Sequence, residues 1–143
     1  MGYIAAPFAG NVPLFDLMAG NRQGYAIPVQ IKTANKPSWQ YNANHLLDIK
    51  VVGDRQFSKG RLQHLNPNLI YIFILVKEQE DDFYIARLRD IQNITQRLYF
   101  GDYKSIVRRK NPKSFHCYVT AKDLKKFHNN WELIGESFRV LNT

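Results

Sequence analysis

The sequence predicts an α/β domain built around a central sheet, and three features carry that expectation. Residues 69–76 form the longest unbroken apolar run, Leu-Ile-Tyr-Ile-Phe-Ile-Leu-Val. This is far short of the roughly 20 residues that cross a bilayer and suits a buried strand. Residues 14–19 and 26–33 look like two strands joined by Gly20-Asn21-Arg22-Gln23-Gly24, a connection with turn residues at both ends and therefore a β-hairpin. Residues 90–100 instead set Ile91, Ile94 and Leu98 at helical spacing.

Taken in chain order, residues 3–8 make a first short strand ahead of the hairpin. Between Asn35 and Pro67 the pattern is mixed: residues 42–47 suit the start of a short helix, residues 47–52 alternate as a strand, and Gly53-Asp54 signals a turn. After the apolar strand, Lys77-Glu78-Gln79-Glu80-Asp81-Asp82 is a charged tip, most simply a solvated hairpin loop, and residues 83–88 return as a strand. The last strand is expected over residues 115–119. Thr120 followed by Asp123 then supplies a hydroxyl cap with an acid three residues on. That pair predicts a helix to about Phe127, ended by Asn129-Asn130, with Trp131, Leu133 and Ile134 packing back on the body.

At 143 residues, 45% hydrophobic and 13% aromatic, the chain has enough apolar material for the core of one domain spanning residues 1–143. Met1-Gly2-Tyr3-Ile4 lacks the basic start of a secretory signal, and Ala6 breaks the myristoylation pattern that Gly2 suggests. The expectation is a soluble cytoplasmic protein without a membrane partner. Cys117 is the only cysteine, which excludes an internal disulfide and a cysteine-based zinc cluster; on an alternating strand it fits core packing. His45, His64, His116 and His128 lack the paired spacing of zinc ligands.

The net charge of +8 is unevenly placed. Between Arg97 and Lys126 nine basic residues face two acids, whereas the rest of the chain holds eleven bases against ten acids. A concentrated basic segment points to an anionic partner such as nucleic acid. Within it, Arg108, Arg109, Lys110 and Lys113 surround Asn111-Pro112, a turn able to present cations to phosphates; a plain basic loop is the alternative. Lys36, Ser38, Trp39 and Gln40 follow the third strand directly, where an aromatic beside a cation stacks on a base or sugar. Trp39 as a core plug is the competing possibility.

On the hairpin, Asp16 shares a strand face with Leu14 and Met18, and Gln30 shares one with Lys32. An even register across the turn brings the three polar groups together. A carboxylate oxygen of Asp16, an amide oxygen of Gln30 and the Ile31 carbonyl are hard ligands suited to magnesium or manganese. Lys32 would then orient or deprotonate an attacking water and stabilise charge developing on a phosphate. Separately, Asp16 as a turn-proximal hydrogen-bonder and Lys32 as an ordinary strand lysine are the plainer alternatives.

Phe15-Asp16-Leu17-Met18, the glycine-bounded turn and Ile27-Pro28-Val29-Gln30-Ile31-Lys32-Thr33-Ala34 resemble the second and third strands of the PD-(D/E)xK nuclease superfamily, in the variant where Gln replaces the acid of the third motif. The likeness covers roughly residues 1–76. Residues 109–117 and Asn130-Trp131-Glu132-Leu133-Ile134 also resemble segments of small uncharacterised bacterial proteins. The resemblance implies a mixed central β-sheet flanked by helices, a restriction-endonuclease-like core lacking the usual first helix and its Glu. It further implies a metal-dependent endonuclease acting on nucleic acid, DNA first among the candidates, with Asp16, Gln30 and Lys32 catalytic. A homodimer would suit two-strand cleavage. No acidic residue precedes Asp16, so Asp48 and Asp54 are candidates for a further acid by elimination only, with ordinary loop acids as the plainer alternative. Two other functions use the same residues: a nuclease-fold module that binds nucleic acid without cutting it, and a protein-interaction module whose basic face meets an acidic partner.

Overall fold

The computed structural model describes residues 2–8 and 15–143. Its main sheet has the order β1-β2-β3-β7-β8. The strands are β1 (Ile4–Pro7), β2 (Leu17–Gly20), β3 (Ala26–Ala34), β7 (Ile70–Leu75) and β8 (Asp82–Arg87). β1, β2 and β3 form an antiparallel meander, β3 runs parallel to β7, and β8 returns antiparallel. The sheet is therefore mixed, as expected. Leu14, placed in the second strand by the sequence, lies outside the described residues; that strand begins at Leu17.

The hairpin expectation holds, with the connection shifted by one residue to positions 21–25. Asn21 Oδ1 accepts the backbone N–H groups of Gln23 and Tyr25 at 3.1 and 3.0 Å, and Gly24 takes φ +87°, a conformation cheap only for a residue without Cβ. Pro28 sits opposite Met18, one residue before the parallel ladder starts at Val29 and Ile70. It thus occupies the part of β3 with a partner on one side only, where a missing N–H is tolerated.

Alternation along β3 and β7 divides the interior into two cores. Ile27, Val29, Ile70, Ile72 and Ile85 face one side and pack against Leu133, Ile134 and Phe138 of α2 (Glu132–Leu141). Tyr71, Phe73, Leu75, Tyr84 and Ala86 face the other and pack against Leu88, Ile91, Ile94, Tyr99 and Phe100 of α1 (Leu88–Phe100). Helices thus cover both faces. No helix among the described residues is long and apolar enough to cross a membrane.

Two smaller sheets depart most from the sequence expectations. β4 (Ser38–Asn42) and β10 (His116–Thr120) pair as an antiparallel ribbon. β5 (Leu47–Val52), β6 (Arg55–Arg61) and β9 (Ile106–Arg108) form a three-stranded antiparallel sheet. β4, β6 and β9 were not anticipated. The helix expected from residue 42 is a single 3-10 turn, Ala43–His45. Thr120 and Asp123 do form reciprocal contacts, Thr120 N and Oγ1 donating to Asp123 Oδ2 at 2.9 and 2.8 Å. The segment they cap, however, is a turn and the 3-10 helix Lys125–Phe127. Leu124 and Phe127 are the buried pair, and an i, i+3 pair eclipses in 3-10 geometry. Asn129 at φ 51° reverses the chain, and α2 follows where only packing residues were expected.

Buried polar groups hold the outer layers in place. Gln56 is fully buried and donates from Nε2 to the carbonyls of Pro112 and Ser114 at 2.8 and 3.0 Å, while Tyr99 Oη donates to its Oε1 at 2.6 Å. Gln92 donates to the Leu46 and Leu62 carbonyls at 3.0 and 3.1 Å. Each of these side chains ties an irregular segment to the core, with its buried donors partnered as burial requires.

Candidate active site

Asp16 precedes β2 and its backbone N–H donates to the Val29 carbonyl at 2.8 Å. This bond aims its carboxylate along β3 towards the strand's first polar residues. Asp16 Oδ2 accepts the Ile31 backbone N–H at 2.7 Å and the Gln30 side-chain Nε2 at 2.5 Å. Gln30 Nε2 also donates to the Ile31 carbonyl at 3.3 Å. Asp16, Gln30 and the Ile31 backbone therefore meet at one point: the even register brings Asp16 to Gln30 as expected, whereas Lys32, the third group expected there, lines a cleft whose lining does not include them. Asp16 is exposed and Gln30 half-buried, so the point is open to solvent.

The amide nitrogen of Gln30 stands where the Asp16 and Ile31 oxygens both point. Its two donor bonds fix the amide with the nitrogen inward, so the oxygens of Asp16, Gln30 and Ile31 could together hold a hard divalent cation only with the Gln30 side chain turned over and drawn back from Asp16. The set carries one carboxylate. Among the described residues no three His, Cys, Asp or Glu side chains cluster as a metal site. Asp54, one of the two acids named by elimination, is paired with Arg108 at 2.7 Å.

Below this point lies Tyr71, opposite Gln30 in the parallel ladder. Burial first, and the Asp16 carboxylate second, push its phenol well above the ordinary tyrosine range, so Tyr71 is a neutral floor to the site. Lys32 follows two residues after Gln30, which puts it on the same face about 7 Å farther along the strand. It is half-buried and lines a cleft of about 330 Å³ with Gln40, Tyr41, Asn42, His45 and His116. His45 and His116 were missed as neighbours of the site. Gln40 and His116 belong to two short strands whose only signal is polar alternation, His45 closes the 3-10 turn after the first of them, and nothing local indicates that those strands pair.

The expected nucleic-acid contacts divide. Trp39 is corrected: it is 3% exposed, its rings lie 5.5 and 5.7 Å from those of Phe73 and Tyr84, and its Nε1 donates to the Ile74 carbonyl at 3.2 Å. It is a core plug with no face left for a base. Arg109 is largely committed to the fold. Its guanidinium stacks 4.0 Å over the Tyr99 ring and donates to the Tyr99 carbonyl at 2.7 Å, satisfying one of the terminal carbonyls of α1. Arg108 is 70% exposed but neutralised by Asp54. Lys36, Lys110 and Lys113 are exposed and make no ion pair among the described residues.

Comparison with known proteins gives no match: no family profile, curated protein or solved structure is significantly similar to the chain.

Proposed function

We propose that the chain is a metal-dependent endonuclease with a restriction-endonuclease-like core, hydrolysing phosphodiester bonds of nucleic acid, DNA in the first instance. One observation carries this reading: the meeting of Asp16, Gln30 and the Ile31 carbonyl, with Lys32 on the same face of β3. Magnesium or manganese held by the Asp16 carboxylate, the Gln30 amide oxygen and the Ile31 carbonyl would supply Lewis-acid polarisation of the phosphate and an acidified water. Asp16 contributes the negative charge of that set. Gln30 contributes a neutral oxygen, so cation affinity depends more on the substrate's own phosphate than it would with a second carboxylate. Lys32, on the same face of β3, would hold the phosphate oxygens and stabilise the charge that grows on them in the transition state. Exposed Lys36, Lys110 and Lys113 contribute sequence-independent attraction to the backbone.

The test is incubation of the purified chain with end-labelled single-stranded, double-stranded and branched DNA, and with RNA, with and without Mg²⁺ or Mn²⁺. Metal-dependent internal cleavage of any of these supports the reading; intact substrates throughout reject it.

A second reading, a nucleic-acid-binding module without catalysis, is favoured by the single carboxylate and by the bonds that already engage Asp16 Oδ2. It predicts retention of the labelled strands without cleavage in the same assay.

A further inference from the structure

The ribbon of β4 and β10 has two faces. Trp39, Tyr41, Cys117 and Val119 point into the core, all 9% exposed or less. The alternate residues point out, and among them Tyr118 is the large one, 59% exposed on the middle of β10 and directly opposite Gln40 in the register. Directly opposite residues stand about 5 Å apart at Cβ. Gln40 in turn lies against His116, Nε2 to Nδ1 at 2.5 Å, and both line the cleft that holds Lys32. A continuous polar path with one free aromatic face therefore leads from Tyr118 through Gln40 and His116 to Lys32.

Charge identifies what the path would hold. β10 lies in the middle of the basic segment: Lys110 and Lys113 precede it, and Lys122, Lys125 and Lys126 follow it. All five are exposed and outside any ion pair among the described residues. A polyanion lying along the ribbon is attracted at both ends. The exposed ring discriminates among polyanions, because a base offers a π-face to Tyr118 only when it is not already stacked within a duplex.

We propose that the β4–β10 ribbon is the track for one unpaired nucleic-acid strand, with a base stacked on Tyr118 and the neighbouring sugar-phosphate held at Gln40, His45 and His116 beside Lys32. The inference rests on the nuclease reading for the class of partner and adds the form of the substrate: a single strand, or the frayed or branched part of a duplex.

The experiment is fluorescence anisotropy of a labelled single-stranded oligonucleotide and its matched duplex, in chelator so that nothing is cut. The full chain is compared with Tyr118→Thr, which keeps strand propensity, and with Tyr118→Phe. The parent should prefer the single strand. Tyr118→Thr should weaken that binding about 5- to 100-fold, with duplex affinity and the thermal midpoint unchanged, and Tyr118→Phe should stay within about twofold of the parent. Single-strand affinity unchanged in Tyr118→Thr, equal losses for single strand and duplex, or no single-strand binding by the parent would each overturn the track. The cleavage assay separates the two readings. A parent that cuts in Mg²⁺ while Tyr118→Thr binds normally retains the nuclease and loses the track. A parent that binds single strands through Tyr118 and never cuts retains the track and loses the nuclease.

Discussion

Gln30 is the residue on which the chemistry of the site turns. As a neutral amide it donates to Asp16 and Ile31; as a carboxylate it would add a second negative ligand at the same point. Gln30→Glu should tighten Mg²⁺ binding, and Asp16→Ala should weaken it, both measured by titration calorimetry. Weaker binding in Gln30→Glu with unchanged folding would mean that the amide's donor bonds, rather than its oxygen, are its purpose. Gln56 carries the corresponding load in the scaffold. Gln56→Leu leaves the Pro112 and Ser114 carbonyls and the Tyr99 hydroxyl without this partner, and should lower unfolding stability by about 2–3 kcal/mol in a denaturant titration. A loss under about 0.5 kcal/mol would show that water replaces the amide. Cys117 is 4% exposed, and burial pushes its thiol up, in keeping with the core-packing role expected of a lone cysteine on an alternating strand.

Among the elements, most of those fixed by local chemistry were legible in the sequence, although β6, which returns from β5 through the local Gly53-Asp54 turn, was not, and β4 and β9, fixed by distant pairing, were missed. The Asn21–Gly24 turn, the apolar run of β7 and the Ile91–Ile94 spacing of α1 each act within a few residues. β4, in contrast, gains its partner β10 some 76 positions away, as the Gln40–His116 contact shows. Trp39 therefore looked equally suited to a base or to a core until the ribbon's inner face was known. α2 was legible in principle, since Leu133, Ile134, Ser137 and Phe138 are buried at helical spacing, but Gly135 interrupts the run. In the structure the Tyr3 hydroxyl approaches to 3.3 Å of where a Cβ on that residue would stand, so the glycine serves packing against the β1 end of the chain.

The charged tip between β7 and β8 is also more than a solvated loop at its base. Asp82 is paired with Lys77 and accepts from His128 Nε2 at 2.9 Å. These hydrogen bonds, Lys77 first, hold its carboxyl below the ordinary range. A depressed carboxyl stabilises the fold above its unfolded value, near 4, and that contribution is lost as pH falls through the folded value. Asp82→Asn should therefore melt slightly below the parent at pH 7, with the gap closing below about pH 4. A gap of constant size from pH 7 to 3 would contradict the charge assignment. In the basic loop, Lys110→Ala with Lys113→Ala should reduce the slope of log K against log salt by about 1.4–1.8 for DNA binding. Arg109→Ala should chiefly destabilise the fold, because Arg109 is bound to Tyr99. Identical slopes for parent and double variant would remove this loop from the binding surface.

At the scale of the whole molecule, the mixed sheet carries α2 on one face and α1 with the ribbon on the other, and the Lys32 cleft opens between β3 and the ribbon. The meeting of Asp16 and Gln30 was legible because one hairpin with an even register suffices to bring them together. The surroundings of Lys32 were not, because they come from β4, the following 3-10 turn and β10, which converge only in the finished fold. The central claim is that this convergence performs metal-dependent phosphodiester hydrolysis, and Lys32 is the residue whose effect separates chemistry from binding. The deciding measurement is single-turnover cleavage of a labelled DNA in Mg²⁺ by the parent and by Lys32→Ala, with binding of the same DNA measured in chelator. The account predicts a cleavage rate at least about 100-fold lower in Lys32→Ala, with affinity within a few-fold of the parent. Equal cleavage by the two proteins, or a parent that leaves the DNA intact in Mg²⁺ and Mn²⁺ alike, would contradict it.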